Sequence, residues 1–211
     1  MQTLFDPFLH FDLSVFQWVQ TIHGGFLDKL MVIITSLGEG GIIFIAIALA
    51  LLCTKKYRKA GVAIIVALLV MEVGNNLILK TIFARPRPFN LDPTMYPWWH
   101  EVYKFPELVS RPTSYSFPSG HTSSAFAAAI ALLWYDRKFG IPLTLFAAVM
   151  GFSRIYVEVH YCTDVLFGAL VGIVYALIGI LIVNKLYPIV MPKIEKKIDD
   201  FKEKRKAAKA A

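Results

Sequence analysis

Six apolar runs, Phe26 to Leu37, Gly41 to Cys53, Ala60 to Ile82, Ser119 to Trp134, Pro142 to Val159 and Cys162 to Leu186, fill most of the chain and dictate what it can fold into. In hydrocarbon every backbone N–H and C=O has to find a partner inside the protein, and a helix supplies one within a single segment. The expected fold class is therefore all-α, a polytopic membrane protein with a six-transmembrane-helix bundle. The first two runs are short for a bilayer that needs about 20 residues per helix, so they are expected to extend through polar flanks or to tilt little. Composition agrees: 56% of the 211 residues are apolar and the mean hydropathy is +0.56, above the range of water-soluble globules.

The charges are placed as a membrane protein places them. Formal net charge is +7, but nine of the 22 Lys and Arg residues lie from Lys185 onward. Such a tail points to cytoplasmic retention beside anionic lipid and away from nucleic acid. With both termini inside, Lys55, Lys56, Arg58 and Lys59 after the second run and Arg137 and Lys138 after the fourth share the tail's side. The other side receives the Glu39 turn, the segment 85–118 and the connection around His160. Residues 1–192 are expected to form one membrane-embedded domain and 193–211 a basic cytoplasmic tail, in which Ile194, Ile198 and Phe201 mark one face of a surface helix.

Residues 1–24 carry neither a basic start nor a cleavable apolar core, so the segment is read as mature chain rather than signal peptide. Leu13, Val15, Phe16, Trp18, Val19 and Ile22 suit a helix lying in the interface or packed on the bundle. Segment 85–118 is rich in proline and aromatics: Phe89, Tyr96, Trp98, Trp99, Tyr103, Phe105 and Tyr115 suit either an interfacial belt or a lid. Gly168 and Gly172 form a GxxxG pair, whose ordinary meaning is close helix packing.

Charged groups at membrane depth are costly and need a reason. Lys80 closes the third run, Arg85 and Arg87 follow it, His121 opens the fourth run, Arg154 nears the end of the fifth, and His160 and Asp164 open the sixth. All fall on the outer side. Pro118-Ser119-Gly120-His121 has the form of a helix start, where unpaired N–H groups and the dipole favour an anion. Lys80, Arg87 and Arg154 suit a tetrahedral oxyanion, arginine gripping two oxygens and lysine adding a point charge.

Two histidines supply what cations lack. Asp164 lies four residues after His160, one turn along a helix, where a carboxylate can fix the ring tautomer and leave the other nitrogen to attack phosphorus. His121 then serves as acid toward the leaving oxygen and base toward water. A divalent metal on the same residues is disfavoured by three adjacent cations, so neither metal nor cofactor is expected. Arg85 reads as surrounding field, and Glu158 as an ion-pair partner of Arg154. Glu72 and Asn76, spaced by four from Lys80, read as interhelical hydrogen bonding or as a polar track to the site.

In order and spacing these residues resemble the three-part signature of the type-2 phosphatidic acid phosphatase superfamily, the lipid phosphate phosphatases related to vanadium haloperoxidases. The parts are Lys80 with Arg87-Pro88, then Pro118-Ser119-Gly120-His121, then Ser153-Arg154 with His160 and Asp164. The resemblance implies phosphate binding by Lys80, Arg87, Ser119, Gly120 and Arg154, acid and base work by His121, nucleophilic attack by His160 and support from Asp164. It also implies a six-helix core, metal independence and inhibition by vanadate.

The expected partners are a lipid phosphate or diphosphate and the bilayer, with the oligomeric state left open. Undecaprenyl diphosphate leads as substrate, because an outward site suits recycling of that carrier; phosphatidylglycerophosphate and phosphatidic acid are the alternatives. A non-enzymatic lipid-phosphate binder or transporter would not need His121, His160 and Asp164 together, and a haloperoxidase reading is disfavoured by the spans. Cys53 and Cys162 lie near opposite ends of the runs, so no disulfide is expected: intact mass should be unchanged by reduction.

Overall fold

The computed structural model describes residues 4–102 and 107–210, with side chains for 4–101, 107–194, 196–197 and 200–201. It is helical, with no strand among the described residues. The helices are α1 Asp6–Thr21, α2 Gly25–Leu37, α3 Ile42–Leu52, α4 Arg58–Met71, α5 Lys80–Phe83, α6 Pro97–Val102, α7 Gly120–Tyr135, α8 Arg137–Tyr156 and α9 Cys162–Ala210. A π-helical stretch, Glu72–Leu79, joins α4 to α5.

The core is built around α7. Ala125, Ala127, Ala128, Ala129 and Ala131 are all buried there, and such small side chains let α4, α8 and α9 approach its backbone closely. Gly168 and Gly172 do the same from α9: a Cβ on Gly172 would lie 2.7 Å from the Ser123 carbonyl oxygen and 2.9 Å from Phe126 Cβ. α8 starts sharply because the Asp136 carboxylate accepts the Phe139 N–H at 3.1 Å, capping the first turn. Large apolar side chains such as Leu69, Ile82, Leu145, Leu170 and Leu181 point outward, as they do where the solvent is lipid.

Three helical stretches are long and apolar enough to cross a membrane, 58–90, Arg137–Tyr156 and 162–194, among the described residues. α2 and the segment containing α3 pass the same test only jointly, as a pair bent by 47°. The two short runs thus do not stand as two independent spans of membrane length. α2 has 13 residues and α3 has 11, each too short alone. Asp28 accepts the Tyr156 hydroxyl at 2.6 Å, and Thr35 accepts from Arg154, so both halves of α2 are tied to the last turn of α8. α7 has 16 residues, short for a span, and α9 continues the last run through Ala210.

α1 packs on α8 and α9 with Leu9, Leu13, Phe16 and Val19 buried. The outer segment docks onto it. Trp98 stacks on His10, Tyr96 donates to Asp6 at 2.8 Å, and fully buried Trp99 packs edge-on to Phe16 while donating to the Pro88 carbonyl at 3.1 Å. Tyr103, Phe105 and the Ile198 side chain lie outside the described residues. Cys53 and Cys162 are both free thiols. Gly172→Val forces a methyl pair into the α7 backbone and is expected to destabilise the fold by about 1–3 kcal/mol, seen as a lowered thermal midpoint in detergent.

Candidate active site

At one end of the bundle α7, α8 and the α8–α9 connection converge on a polar cavity of about 480 Å³. Its wall includes Lys80, Arg87, Gly120, His121, Arg154 and His160, residues spread over 80 positions of sequence from 80 to 160 and delivered by five segments. Segment 108–114 lines the same cavity through Leu108, Val109, Ser110, Pro112 and Ser114. Glu39 also lines it, from the bend between α2 and α3. That bend requires Gly38, since a Cβ there would lie 2.8 Å from His121 Cδ2 and 2.7 Å from Met150 Sδ.

His160 precedes α9 rather than sitting on it, so the His160–Asp164 pair spans the helix start instead of one regular turn. Its Nδ1 faces Asp164 Oδ2 at 3.4 Å, and its Nε2 faces Arg87 Nη1 at 3.3 Å. A guanidinium has no lone pair, so Nε2 is the acceptor and the ring proton belongs on Nδ1, toward the carboxylate. Burial first, then the charges of Arg87 and Arg154, holds the His160 pKa well below the usual imidazole range, which keeps the ring neutral. Asp164 is itself fixed by the Ser116 hydroxyl, by the Tyr161 N–H at 3.1 Å and by Arg85.

The two arginines are held in place by neutral acceptors. Arg87 donates to the Ser114 carbonyl at 2.7 Å, to the Ser114 hydroxyl at 3.1 Å and to the Val159 carbonyl at 2.7 Å. Arg154 donates to Thr35, and its Nε is buried without a hydrogen-bond partner among the described residues. Three cations round one cavity repel each other, so an anion between them is the compensating ligand. Gly120 and His121 open α7, where first-turn N–H groups have no intrahelical acceptor.

Ser119 is the exception among the five residues expected to bind phosphate. It is fully buried beside the cavity rather than on its lining, with its hydroxyl accepting from Thr122 at 3.0 Å and its N–H donating to the Asp164 carbonyl at 3.1 Å. Among the described ion pairs Glu158 meets His23, with its carboxylate 3.9 Å from Nε2, and not Arg154, because α8 ends at Tyr156 and Glu158 sits at φ 53. Glu72 accepts from Asn76 at 2.6 Å within the π-helical stretch, and Asn75 donates toward the Pro118 carbonyl at 3.5 Å and accepts from Ser123 at 3.0 Å. Glu72 and Asn76 line a second, mostly apolar cavity of about 490 Å³ with Ile45, Ile65, Leu68 and Met71. Lys80, Gly120 and His121 belong to both cavities.

Arg85 has a different place from the field residue expected. It lies behind Asp164, giving Nη1 to Asp164 Oδ1 at 2.6 Å and to Thr163 Oγ1 at 2.8 Å, and Nη2 to Asp12 Oδ2 at 2.8 Å. Ser114, Ser116, Thr35 and Asp12 carry no motif signal, being single polar residues whose role arises only from partners distant in the chain. The described residues contain no group of three His, Cys, Asp or Glu side chains suited to a metal.

The arrangement, two imidazoles and three cations around one cavity beside an apolar one, is that of a phosphatase acting on lipids. The chain belongs to the PAP2 superfamily, whose model matches residues 56–188, and is a membrane lipid phosphatase. It is similar, at 32% identity over 195 residues, to the undecaprenyl-diphosphatase BcrC of Bacillus subtilis, covering 84% of this chain and 91% of that protein. It is also similar, at 30% identity over 164 residues, to an undecaprenyl-diphosphatase of Sulfolobus acidocaldarius, covering 77% and 73%. Among solved structures, Aquifex aeolicus LpxE superposes with a TM-score of 0.69 at 28% identity, covering 84% of this chain and 98% of that one.

Removing the Arg85 charge would leave two buried carboxylates without their cation. Arg85→Met is expected to destabilise the protein by about 3–5 kcal/mol, read from thermal or denaturant unfolding in detergent.

Proposed function

We propose that this chain hydrolyses undecaprenyl diphosphate to undecaprenyl phosphate and inorganic phosphate at the outer face of the plasma membrane, through a phosphohistidine on His160. The observation that carries the reading is the position of His160 Nε2, the ring's acceptor nitrogen, in the cavity shared with His121, Lys80, Arg87 and Arg154. The names of the two curated relatives favour the diphosphate carrier as substrate over phosphatidic acid and phosphatidylglycerophosphate. The neighbouring apolar cavity suits the first isoprene units, since it meets the polar one at Lys80, Gly120 and His121.

The terminal phosphate enters between Lys80, Arg87 and Arg154 and the opening N–H groups of α7, with Ser119 shaping that turn. Arg87 swings its Nη1 from the ring to a phosphate oxygen, freeing the Nε2 lone pair. Nε2 then attacks phosphorus as the bond to the bridging oxygen breaks, and His121 gives that oxygen a proton where the pH leaves it needing one. Asp164 stabilises the positive ring through Nδ1–H. His121 next takes a proton from water, which attacks the phosphohistidine and releases phosphate. The fixed cations favour charge spread over the transferring group, the main electrostatic contribution in phosphoryl transfer. No step calls for a metal.

The same placement supports a topology. Lys59 lies over the Tyr135 and Tyr187 rings and Tyr57 meets Phe139, so the basic loops cluster at the end of α7 away from His121. Those loops belong inside, which puts the cavity outside. α1, bonded to the site, lies with it on the outer surface. Counting the bent α2–α3 pair once and adding α7 gives five crossings with the N-terminus outside and the tail inside, in place of six with both ends inside.

The test is phosphate release from undecaprenyl diphosphate, phosphatidylglycerophosphate and phosphatidic acid in detergent, with EDTA present. The diphosphate should be turned over fastest, EDTA should change nothing, and His121→Ala and Arg154→Ala should each lose roughly 100-fold to 10,000-fold. His160→Ala should abolish turnover; persistence of parental rates would eliminate the covalent route. Because His160 is held neutral, the acid limb of kcat/KM assigned to it should fall below the ordinary imidazole value of about 6.5.

A further inference from the structure

A second carboxylate stands behind Asp164 that no signature residue accounts for. Asp12, on α1, is fully buried. It accepts from Arg85 Nη2 at 2.8 Å, from the Thr163 N–H at 2.9 Å and from the Thr163 hydroxyl at 2.8 Å. Arg85 gives its other terminal nitrogen, Nη1, to Asp164 at 2.6 Å, and its guanidinium lies 4.3 and 3.7 Å from the centroids of the Phe5 and Tyr161 rings. Asp12 precedes the family-matched residues 56–188, so the signature does not carry it.

One cation is thus shared by two buried acids. If Arg85 served Asp164 alone, the pair would be neutral and Asp164 a weak acceptor for the His160 Nδ1–H. With Asp12 on the neighbouring Nη2 the trio keeps one net negative charge, and part of the Arg85 field is turned away from Asp164. The low-polarity surroundings make this redistribution felt, because buried charges are poorly screened. Asp12 also sets the guanidinium plane, and with it the Asp164 carboxylate that faces His160 at 3.4 Å.

We propose that Asp12 is a positioning residue for phosphoryl transfer, keeping the Asp164 carboxylate negative and oriented toward His160 through Arg85. The proposal rests on the reading of His160 as nucleophile, and the two fail separately: His160→Ala tests that reading, and the Asp12 variants test this one. Asp12 never touches substrate, so its loss should appear in kcat and not in KM.

The experiment measures kcat and KM on undecaprenyl diphosphate for the full chain in detergent, for Asp12→Asn, Asp164→Asn, their double variant, and Tyr96→Phe. Asp12→Asn is expected to lower kcat by about 10-fold or more with KM within about threefold. In the Asp164→Asn background the same change should cost less than about twofold, as it must if both act through one path. Tyr96→Phe removes an α1 docking bond to Asp6 without altering any charge and should keep kcat within about twofold. Parental kcat in Asp12→Asn would overturn the proposal, as would an undiminished effect in the double variant or an equal loss in Tyr96→Phe. Asp12→Glu, which keeps the charge, should retain about a tenth or more of parental kcat. A folded Glu variant as slow as Asp164→Asn would overturn the proposal even if Asp12→Asn yields no folded protein.

Discussion

Buried charge is the constraint on which this structure turns. Arg85 and Asp164 are almost wholly out of solvent, 2% and 0% exposed, and each would be expensive alone. Their pairing, extended to Asp12, ties α1, the end of the third run and the start of α9 into one unit. From that unit Asp164 reaches the His160 ring, and from the ring Arg87 reaches the cavity. The geometry of the cavity is thus an outgrowth of an ion cluster that the fold has to satisfy anyway.

The other cations solve the opposite problem. Lys80, Arg87 and Arg154 crowd a cavity with no carboxylate in direct contact among the described ion pairs, and Arg87 and Arg154 are steadied by carbonyls and hydroxyls instead. Neutral acceptors orient a guanidinium without cancelling its charge. The field at the cavity centre therefore remains positive and preorganised for an anion, which is where a phosphoryl group gains most. The small-residue face of α7 contributes by letting α4, α8 and α9 close around it, so that His121 is delivered beside groups carried by other helices.

Where the cavities adjoin, the molecule combines two solvents. The polar side is lined by cations and imidazoles, and the apolar side is bounded by Ile45, Ile65, Leu68 and Met71. Their common wall at Lys80, Gly120 and His121 is what the proposed reaction needs, since it would set a charged headgroup next to a greasy tail without dragging either into the wrong medium.

The helical class and the charged and imidazole groups at the polar cavity were legible in the chain because both rest on local rules: apolar runs must become helices in hydrocarbon, and charges placed at the ends of such runs need a shared purpose. Lys80, Arg87, His121, Arg154, His160 and Asp164 could be found that way. Asp12, Ser116 and Thr35 could not, since each is an ordinary polar residue until a partner 73, 48 or 119 positions away meets it. Run length alone likewise gave no sign that α2 is bonded at Asp28 and Thr35 to the last turn of α8. Sequence by itself determined the medium, the secondary structure and the charges that had to converge. Only the tertiary structure decided which carboxylate shares which cation and which ring nitrogen faces the cavity, because those depend on angles and distances between helices that no one segment encodes.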